Sequence, residues 1–483
     1  MSIQSYADLK GGEDRGIFYR SERFRARDLM GPTPPPVDIG GGSFALHDLS
    51  TSGLAIQAPA NDGRFDVGSR IDFTVGAGDA VLYQGRGEVV RLEPGRRGLK
   101  IGIRIVDGHL DVGELVASHR HHALRQELDE APVAQQLFVT PEYRRFCSDL
   151  VFMLRRYRSA LERYEREAEG GGERARQRLQ EAFELCAPRF EREFRELWRE
   201  GYAVIRPQLG DRRAVAAMKR FTEMVVTPEL VAGPIWRRSY EKPLGYPGDY
   251  QVMNYVYDGG DRGEGAYARL CHRVGVEVGM CVRTRMEMVA EEIAALLSAE
   301  GGPCAVTSLG CGSAVEVASG LAAAARAEPR PVAFTLIDQD QQALDCAYRN
   351  SFPLINADGR QARLNCLHLS FGQLLSGGLD LGRMNRQDLV YCAGLLDYLP
   401  ELQAQTVVAG LYSLLKPGGL LIIGNMKAGT DNAWALGMVL DWELIYRDEA
   451  QMHALAGLIK PAGLELKVDR TGYNYMLYIR APK

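Results

Sequence analysis

Two glycines in residues 306–317, VTSLGCGSAVEV, have the spacing of a loop that holds a nucleotide. An apolar strand leads into Gly310 and Gly312, and a helix is predicted to follow them. Glycine lets the backbone pass close beneath a ligand, and the free N–H groups of a helix N-terminus attract anions. A dinucleotide fingerprint requires a third glycine, but Val315 or Glu316 occupies that place. The loop therefore predicts a nucleotide-containing ligand and disfavours a nicotinamide dinucleotide.

The strands predicted after this loop end in residues that suit the same ligand. In an open parallel sheet, ligands bind beyond the carboxyl ends of the strands, where the strand order reverses. Aspartates at the end of TLIDQD suit ribose hydroxyls, HLSFGQ offers a hydroxyl and a ring for a purine base, and VYCAGLLDYL offers a wall below the reacting group. The candidate cofactor-binding residues are Gly310, Gly312, Asp338, Asp340, Ser370, Phe371, Cys392 and Gly394.

The tyrosine-rich segment 236–257, WRRSYEKPLGYPGDYQVMNYVY, carries more polar groups than a core helix would. Five tyrosines surround a Pro-Gly turn, and each buried polar group costs about 1–3 kcal/mol if it is left unpaired. The segment predicts either a lid or acceptor pocket over the ligand, or an ordered junction in which these groups satisfy one another. On the first interpretation the candidate catalytic residues are Tyr246, Asp249 and Tyr250, and the candidate substrate-binding residues are Tyr240, Asn254, Tyr257 and Arg285.

A second set of chemistry-bearing residues lies near the amino terminus. Arg23 and Arg27 have the spacing R-x-x-x-R, and Asp48, Ser50 and Gly53 have the spacing D-x-S-x-x-G. Arginine forks can bind phosphates, and glycine permits a tight backbone turn.

Three regions of different sequence texture must position these residues. Residues 17–117 alternate apolar and polar positions between turn signals, which predicts a small antiparallel barrel or sandwich. Residues 118–299 have helical spacing, with opposite charges three and four residues apart, and form a predicted helical middle or lid region. Residues 300–483 alternate strands with helices, which predicts an α/β doubly wound, Rossmann-like parallel sheet. The segment LELKVDRTGYNYMLYIRA predicts an antiparallel hairpin that completes this sheet.

Composition narrows the class of protein. The 483 residues carry a formal net charge of -4, which argues against a general binder of nucleic acid or anionic membranes. No C-x-x-C pair occurs among the nine cysteines, so we expect a reducing compartment and no structural metal site. No 18-residue apolar run occurs, so we expect no stable membrane insertion and a cytoplasmic protein.

The carboxyl-terminal segments resemble a known enzyme class. SLGCGSA, TLIDQD, QDLVYCAGLLDYL and LKPGGLLIIGN occur in the order and spacing of the class I S-adenosylmethionine-dependent methyltransferases, with LLKPGG as a turn before the fifth strand. The resemblance implies a methyltransferase sheet and S-adenosyl-L-methionine as cofactor. It also implies that the loop residues and the aspartates after the second strand bind that cofactor.

The tyrosine-rich segment resembles a narrower group. SYEKPLGYPGDYQVMNYVY is similar to the signature of methyltransferases that make 3-hydroxypalmitic acid methyl ester, a bacterial quorum signal. That resemblance implies methyl transfer to the carboxylate of a 3-hydroxy fatty acid or a similar small acceptor. A small amine or a hydroxylated metabolite is the alternative acceptor.

The amino-terminal motifs resemble the PilZ domain, a six-stranded barrel that binds cyclic di-GMP. The resemblance implies that Arg23, Arg27, Asp48, Ser50 and Gly53 bind this dinucleotide. A chain that joins such a barrel to a methyltransferase is expected to be an enzyme regulated by cyclic di-GMP. The competing hypothesis is a cyclic di-GMP receptor whose methyltransferase-like half is a non-catalytic scaffold.

Overall fold

The computed structural model describes residues 23–31, 33–59, 62–77, 80–95, 98–129, 138–167, 172–324, 331–355, 362–369 and 386–483. The chain divides into two compact units, 1–134 and 135–483. Each unit contains its own buried apolar core. In the structure the helical region and the parallel sheet fall within one compact unit. The three domains expected from the sequence therefore stay a prediction.

The first unit is a closed antiparallel barrel with two helices. β1–β7 are Phe24–Arg25, Val37–Ile39, Gly42–Ser50, Gly53–Ala58, Arg70–Ala77, Ala80–Gly95 and Gly98–Ile105, and α1 and α2 are Ala26–Met30 and Val112–Asp129. Neighbouring strands follow the order β3-β2-β5-β6-β7-β4, and β4 pairs back to β3, while β1 adds to the outer side of β3. This closed ring of six strands confirms the predicted barrel.

Alternation along the strands fills the barrel interior. In β2 and in the first part of β3, buried residues alternate with more exposed ones, because successive side chains of a strand point to opposite faces. Val37, Phe44, Phe73, Ile101 and Ile103 all belong to the resulting core.

The second unit begins with a helical segment. α3–α10 are Pro141–Glu167, Glu173–Ile205, Arg212–Val225, Thr227–Leu230, Pro234–Glu241, Tyr250–Asp258, Gly265–Val278 and Met280–Ser298. α3 and α4 pack against each other and bury the aromatic rings of Phe146, Phe190 and Phe194. This arrangement confirms the helical middle region.

The rest of the second unit is the predicted doubly wound sheet. β8–β14 are Cys304–Leu309, Val332–Asp338, Ala362–His368, Gln387–Cys392, Leu415–Met426, Gly463–Val468 and Asn474–Arg480, and α11–α15 are Val315–Ala323, Gln341–Ile355, Glu401–Tyr412, Asn432–Trp434 and Glu449–Ala454. The order is β10-β9-β8-β11-β12-β14-β13, in which β8–β12 are parallel and β13 and β14 form the antiparallel hairpin. The strand order reverses between β8 and β11, which is the ligand position in open sheets of this kind.

The LLKPGG segment differs from its predicted structure. We expected a turn before the fifth strand, but β12 already begins at Leu415 and contains these residues. The pairing with β11 shifts register between Gln387 and Leu389, and Gly418 has a φ of 74°. A bulged strand therefore accommodates the proline and glycines that sequence patterns assign to a turn.

The connection after β12 ties the sheet to the helices. It contains α14 and a π-helical turn at Ala435–Val439. Trp434, Leu436 and Val439 belong to the same apolar cluster as Phe146 of α3. The end of β12, the connection after it and the helical segment therefore share one core. Within the described residues, no helix is long and apolar enough to span a membrane.

A histidine in the helical core gives the second unit a pH-dependent stability. His272 is fully buried, its Nδ1 accepts a hydrogen bond from the Ile235 N–H at 3.3 Å, and burial lowers its pKa to about 4. The imidazole must charge on unfolding at acidic pH, because its unfolded pKa is 6.5. The contribution of the neutral imidazole to the free energy of unfolding is therefore complete above pH 6.5 and is lost as the pH falls toward 4.

We expect His272→Asn to make the free energy of unfolding depend less on pH below pH 7. Between pH 7 and pH 4.5 the wild-type free energy of unfolding should fall by up to about 3 kcal/mol more than that of the variant. Urea denaturation at a series of pH values measures the difference. Parallel curves for the two proteins would contradict this assignment.

Candidate functional site

The glycine loop is fastened to the end of the neighbouring strand. Gly310 and Gly312 have φ values of 70° and 52°, in the left-handed region that glycine adopts at little cost. The N–H groups of Gly310 and Cys311 both donate to the Ile337 carbonyl oxygen, at 2.8 and 3.1 Å. The loop therefore holds one defined shape directly before α11.

Asp338, the last residue of β9, holds this loop in position. Its Oδ2 accepts a hydrogen bond from the Gly312 N–H at 2.8 Å, and its Oδ1 accepts one from the Asp340 N–H at 3.0 Å. Burial raises the pKa of this carboxyl group. Each oxygen keeps a further lone pair, so Asp338 can still accept hydrogen bonds from a ligand.

A cavity of about 350 Å³ opens beside Asp338 at the point where the strand order reverses. Its volume lies within the usual range for small-molecule sites. The loop and the strand ends form one side, and α8, α10 and the tyrosine-rich segment form the other. The predicted site residues that line it are Tyr246, Tyr250, Tyr257, Arg285, Gly310, Gly312, Asp338 and Gly394.

Other predicted residues lie close by but do not line the cavity. Asp340 caps α12, where its Oδ1 accepts from the Gln342 N–H at 2.8 Å. The Cys392 thiol is fully buried, and burial raises its pKa to about 12. Tyr240 is 36% exposed, and the Asn254 amide donates to the Cys346 sulfur at 3.6 Å. Ser370 and Phe371 lie outside the described residues.

Asp249 has a different position from the one that its predicted catalytic role requires. Its side chain is 1% exposed and caps α8, accepting from the N–H groups of Gln251 and Val252 at 2.9 and 3.0 Å. The Arg238 Nε donates to both carboxylate oxygens, at 2.9 and 2.8 Å. This geometry favours a positioning role, in which Asp249 fixes the start of α8 beneath Tyr250.

Tyr246 faces the cavity from the turn between α7 and α8. Burial raises the pKa of its phenol well above the usual value, and the nearby carboxylates of Asp338 and Asp340 raise it further. The hydroxyl therefore stays protonated at neutral pH and can donate a hydrogen bond to a ligand in the cavity.

The roof of the cavity contains residues that the sequence patterns did not single out. Trp442 packs against Gly248, where an added Cβ would lie 2.3 Å from the indole ring. The Trp442 Nε1 donates to the Tyr398 hydroxyl at 2.9 Å. Both aromatic residues line the cavity. They come from the end of the fourth parallel strand and from the connection after β12, so their proximity depends on tertiary folding.

Arg285 reaches the end of β11 from α10. Its guanidinium lies so close to Gly394 that an added Cβ there would be 2.4 Å from Nη2. Its Nη1 is 4.0 Å from the Asp397 Oδ2, and the Asp397 Oδ1 accepts from the Met426 N–H at 2.6 Å. Burial raises the pKa of Asp397. A side chain at position 394 would therefore displace the Arg285 guanidinium from its present place in the cavity.

Glu316 is a further lining residue that sequence reasoning missed. It lies in the first turn of α11, is 7% exposed, and accepts a hydrogen bond from the Tyr391 hydroxyl at 2.8 Å. Burial raises the pKa of its carboxyl group. Its position in the sequence could have indicated a role, because Glu316 stands beside the position where a dinucleotide fingerprint carries its third glycine.

The lining is rich in acidic and aromatic side chains. The charged residues of the lining are Arg285, Glu316, Asp338 and Asp397, and none of the described lining residues is a histidine or a lysine. Burial raises the pKa of the lining thiols Cys281, to about 12, and Cys311. Among the described residues, no group of three or more His, Cys, Asp or Glu side chains could hold a metal ion.

The barrel brings its own predicted ligand residues together. The Asp48 Oδ1 is 3.1 Å from the Arg23 Nη1, and its Oδ2 is 2.6 Å from the Lys100 Nζ. Burial alone would raise the Asp48 pKa, but Lys100, His47 and Arg23 together lower it. The carboxylate is therefore held ionised at the barrel surface.

Two more motif residues shape the turn between β3 and β4. The Ser50 hydroxyl donates to the Gly53 carbonyl oxygen at 3.2 Å, and a Cβ on Gly53 would lie 2.3 Å from the Ile103 carbonyl oxygen. Glycine is therefore required there by the close approach of β7. Arg27 is exposed in α1.

Comparison with known proteins identifies the first unit. Residues 20–118 match the family model of the PilZ domain. The closed six-stranded barrel agrees with that match, so the amino-terminal unit is a PilZ domain. A search among curated proteins finds no match to the chain.

Solved structures similar to this chain include methyltransferases. A possible exported protein from Bordetella parapertussis is 19% identical, with 57% of this chain and 99% of that one covered and a TM-score of 0.40. Magnesium protoporphyrin IX methyltransferase from Synechocystis PCC 6803 with bound SAH is 18% identical, with coverages of 50% and 97% and a TM-score of 0.33. An N-methyltransferase from Bradyrhizobium japonicum WM9, in complex with SAH, is 16% identical, with coverages of 41% and 87% and a TM-score of 0.28.

Proposed function

We propose that the second unit is an S-adenosylmethionine-dependent methyltransferase. The observation that carries the proposal is the Asp338 carboxylate, fixed against the Gly312 N–H and facing a cavity at the reversal of strand order. A buried carboxylate in this place suits ribose hydroxyls, and the left-handed glycines leave room for the rest of the nucleoside. When bound, this cofactor supplies an electrophilic methyl group on a sulfonium centre.

The charge of the lining supports a cationic ligand. Three acidic residues and one arginine face the cavity, and S-adenosylmethionine carries a net positive charge. Tyr246, Tyr250 and Tyr257 also line it, and an aromatic face attracts a cation by about 0.5–2 kcal/mol, depending on its desolvation. The residues present therefore fit the cofactor that the sequence implies.

For the acceptor we propose a carboxylate, such as that of a 3-hydroxy fatty acid. A carboxylate oxygen is already nucleophilic, whereas an amine or a hydroxyl group needs a base to take its proton. The described lining holds no histidine or lysine, and each of its three carboxyl groups already accepts a hydrogen bond from the protein, which favours the carboxylate acceptor. Arg285 is the cation that would bind it, and Met253, Met286 and Leu436 offer an apolar wall for its chain.

In this proposal the tyrosine-rich segment orients the acceptor. Tyr246 and Tyr250 would donate hydrogen bonds that hold the carboxylate in line with the methyl group, and Asp249 would fix the helix that carries Tyr250. The apolar roof that includes Trp442 would exclude water from the reacting atoms. Tyr257 completes the proposed acceptor side, whereas Tyr240 and Asn254, which do not line the cavity, are left out of it.

Calorimetry followed by an activity assay tests the proposal in two stages. The full chain should bind S-adenosylmethionine, and labelled methyl should then pass to a 3-hydroxy fatty acid. Failure to bind at millimolar cofactor would remove the enzyme hypothesis and favour the scaffold. Methyl transfer to amines or hydroxylated metabolites, with none to carboxylates, would retain the enzyme and replace the acceptor.

We further propose that the PilZ domain binds cyclic di-GMP and alters methyl transfer. Arg23 and Arg27 would bind its phosphates and guanine faces, while Asp48 and Ser50 would bind a guanine edge. Coupling between two ligands is reciprocal, so cyclic di-GMP would then also change the affinity for S-adenosylmethionine.

We expect Arg27→Ala to weaken cyclic di-GMP binding about 10- to 100-fold, because a charge-assisted contact of about 1.5–3 kcal/mol is lost. Arg70→Ala is the matched control, since Arg70 is also exposed and lies on β5, outside the motif. Equal affinities of both variants would exclude the motif as the binding site. If saturating cyclic di-GMP changed neither turnover nor cofactor affinity, regulation by this route would be excluded.

A further inference from the structure

Glu316 is a buried acid at the edge of the proposed cofactor site. It lies in the first turn of α11, directly after the loop that contains Gly310 and Gly312, and it lines the same cavity. Its exposed fraction is 7%. A side chain of this kind rarely occurs inside a protein unless it is paired.

The partners of Glu316 within the protein are neutral. The Tyr391 hydroxyl donates to its Oε1 at 2.8 Å, and Tyr391 lies opposite Ser308 in the β8–β11 pairing. Among the described residues, no cation lies within ion-pair distance of its carboxylate, and Arg285 instead pairs with Asp397 at 4.0 Å. Burial raises the Glu316 pKa, and the Tyr391 hydrogen bond and the charge of the nearby Arg285 only partly oppose that rise.

We propose that Glu316 binds the α-ammonium group of the cofactor's methionyl arm. The inference rests on the proposed function and deepens it. The glycine loop lies where the strand order reverses between β8 and β11. On the β9 side the loop is bonded to Asp338, the proposed ribose site. On the β11 side Glu316 is bonded to Tyr391. An ammonium group there would place a cation in direct contact with the Glu316 carboxylate and donate a charge-assisted hydrogen bond to it.

A purely structural role for Glu316 predicts something different. The Tyr391 hydroxyl and Glu316 also join α11 to β11, so the pair could merely stabilise the loop. Glu316→Gln separates the two roles, because the amide oxygen still accepts from Tyr391 while the negative charge is lost. Tyr391→Phe makes the opposite change, since it removes the tie and leaves the carboxylate in place.

The test compares two neutral-sulfur ligands in the full chain. S-Adenosylhomocysteine contains the ammonium group, whereas 5′-methylthioadenosine lacks the whole aminoacyl end. We expect Glu316→Gln to weaken binding of the first at least about 10-fold, which corresponds to about 1.4 kcal/mol, and to leave binding of the second within about 2-fold. Glu465→Gln, an exposed change on β13, controls for the loss of one negative charge.

The outcomes separate this inference from the function on which it rests. Wild-type protein that binds neither S-adenosylhomocysteine nor S-adenosylmethionine would overturn the methyltransferase itself. Wild-type binding with an unaffected Glu316→Gln variant would overturn only the role of Glu316. An equal loss for both ligands would also overturn it, because a structural defect in the loop weakens both.

Discussion

Replacing Asp338 by alanine is expected to abolish measurable binding of S-adenosylmethionine. The change removes the proposed ribose acceptor and the acceptor of the Gly312 N–H at 2.8 Å, so the loop loses its fixed shape. Hydrogen bonds to a charged group contribute about 1.5–3 kcal/mol each. The loss of two should weaken binding by about 100-fold or more, as measured by calorimetry.

The conservative change and a surface control complete this experiment. Asp338→Asn keeps one acceptor oxygen and loses the charge, so its affinity should fall between those of wild type and alanine. Asp345→Asn, an exposed change on α12, should bind the cofactor as wild type does. Unchanged affinity in Asp338→Ala would mean that the cofactor binds elsewhere, and circular dichroism establishes that the variant is folded.

Replacing Tyr246 by phenylalanine should separate turnover from cofactor binding. Tyr246 lines the cavity and its phenol, whose pKa burial raises further, is protonated at neutral pH, so the change removes one donor and very little volume. Misplacement of a reacting group by a small distance lowers rates by about 100-fold. We expect kcat/KM for the acceptor to fall by about that factor, with the cofactor Kd changed less than about 2-fold.

A tyrosine far from the cavity provides the control for this change. Tyr164 is 40% exposed on α3, and Tyr164→Phe should have wild-type kinetics. If Tyr246→Phe also has wild-type kinetics, the hydroxyl has no part in orienting the acceptor. If it weakens the cofactor and the acceptor equally, Tyr246 belongs to the cofactor site.

The proposed cofactor side of the cavity could be predicted from the sequence because it depends on local patterns. A strand that ends in two glycines and a second strand that ends in an aspartate specify where Gly312 and Asp338 must meet, since parallel strands align their carboxyl ends. Alternation and turn signals are also local and indicated an antiparallel barrel or sandwich, and the resemblance of the amino-terminal motifs decided in favour of the barrel.

The different roles of the aspartates were harder to predict from the sequence. Asp249, Asp338 and Asp340 all follow or precede turns in sequence, yet two of them serve as helix caps and one faces the cavity. A cap depends on backbone N–H groups two and three residues ahead, and sequence alone does not show whether the side chain turns toward them or toward a ligand. The same ambiguity applied to Cys392, whose side chain is buried away from the cavity.

The roof residues lay beyond sequence reasoning for another reason. Trp442 meets Gly248 and Tyr398 although long stretches of chain separate them. That contact exists because the connection after β12 enters the core of the helical segment. Only the packed structure brings these three residues together.

The position of Trp442 makes intrinsic tryptophan fluorescence a probe of the cavity. Trp198, Trp236 and Trp434 are all buried, whereas Trp442 is half-buried and lines the cavity. Its indole N–H is hydrogen-bonded to Tyr398, so a molecule that enters beneath it changes the polarity around one fluorophore out of four. Emission from the unlabelled chain should therefore follow occupancy of the cavity in real time.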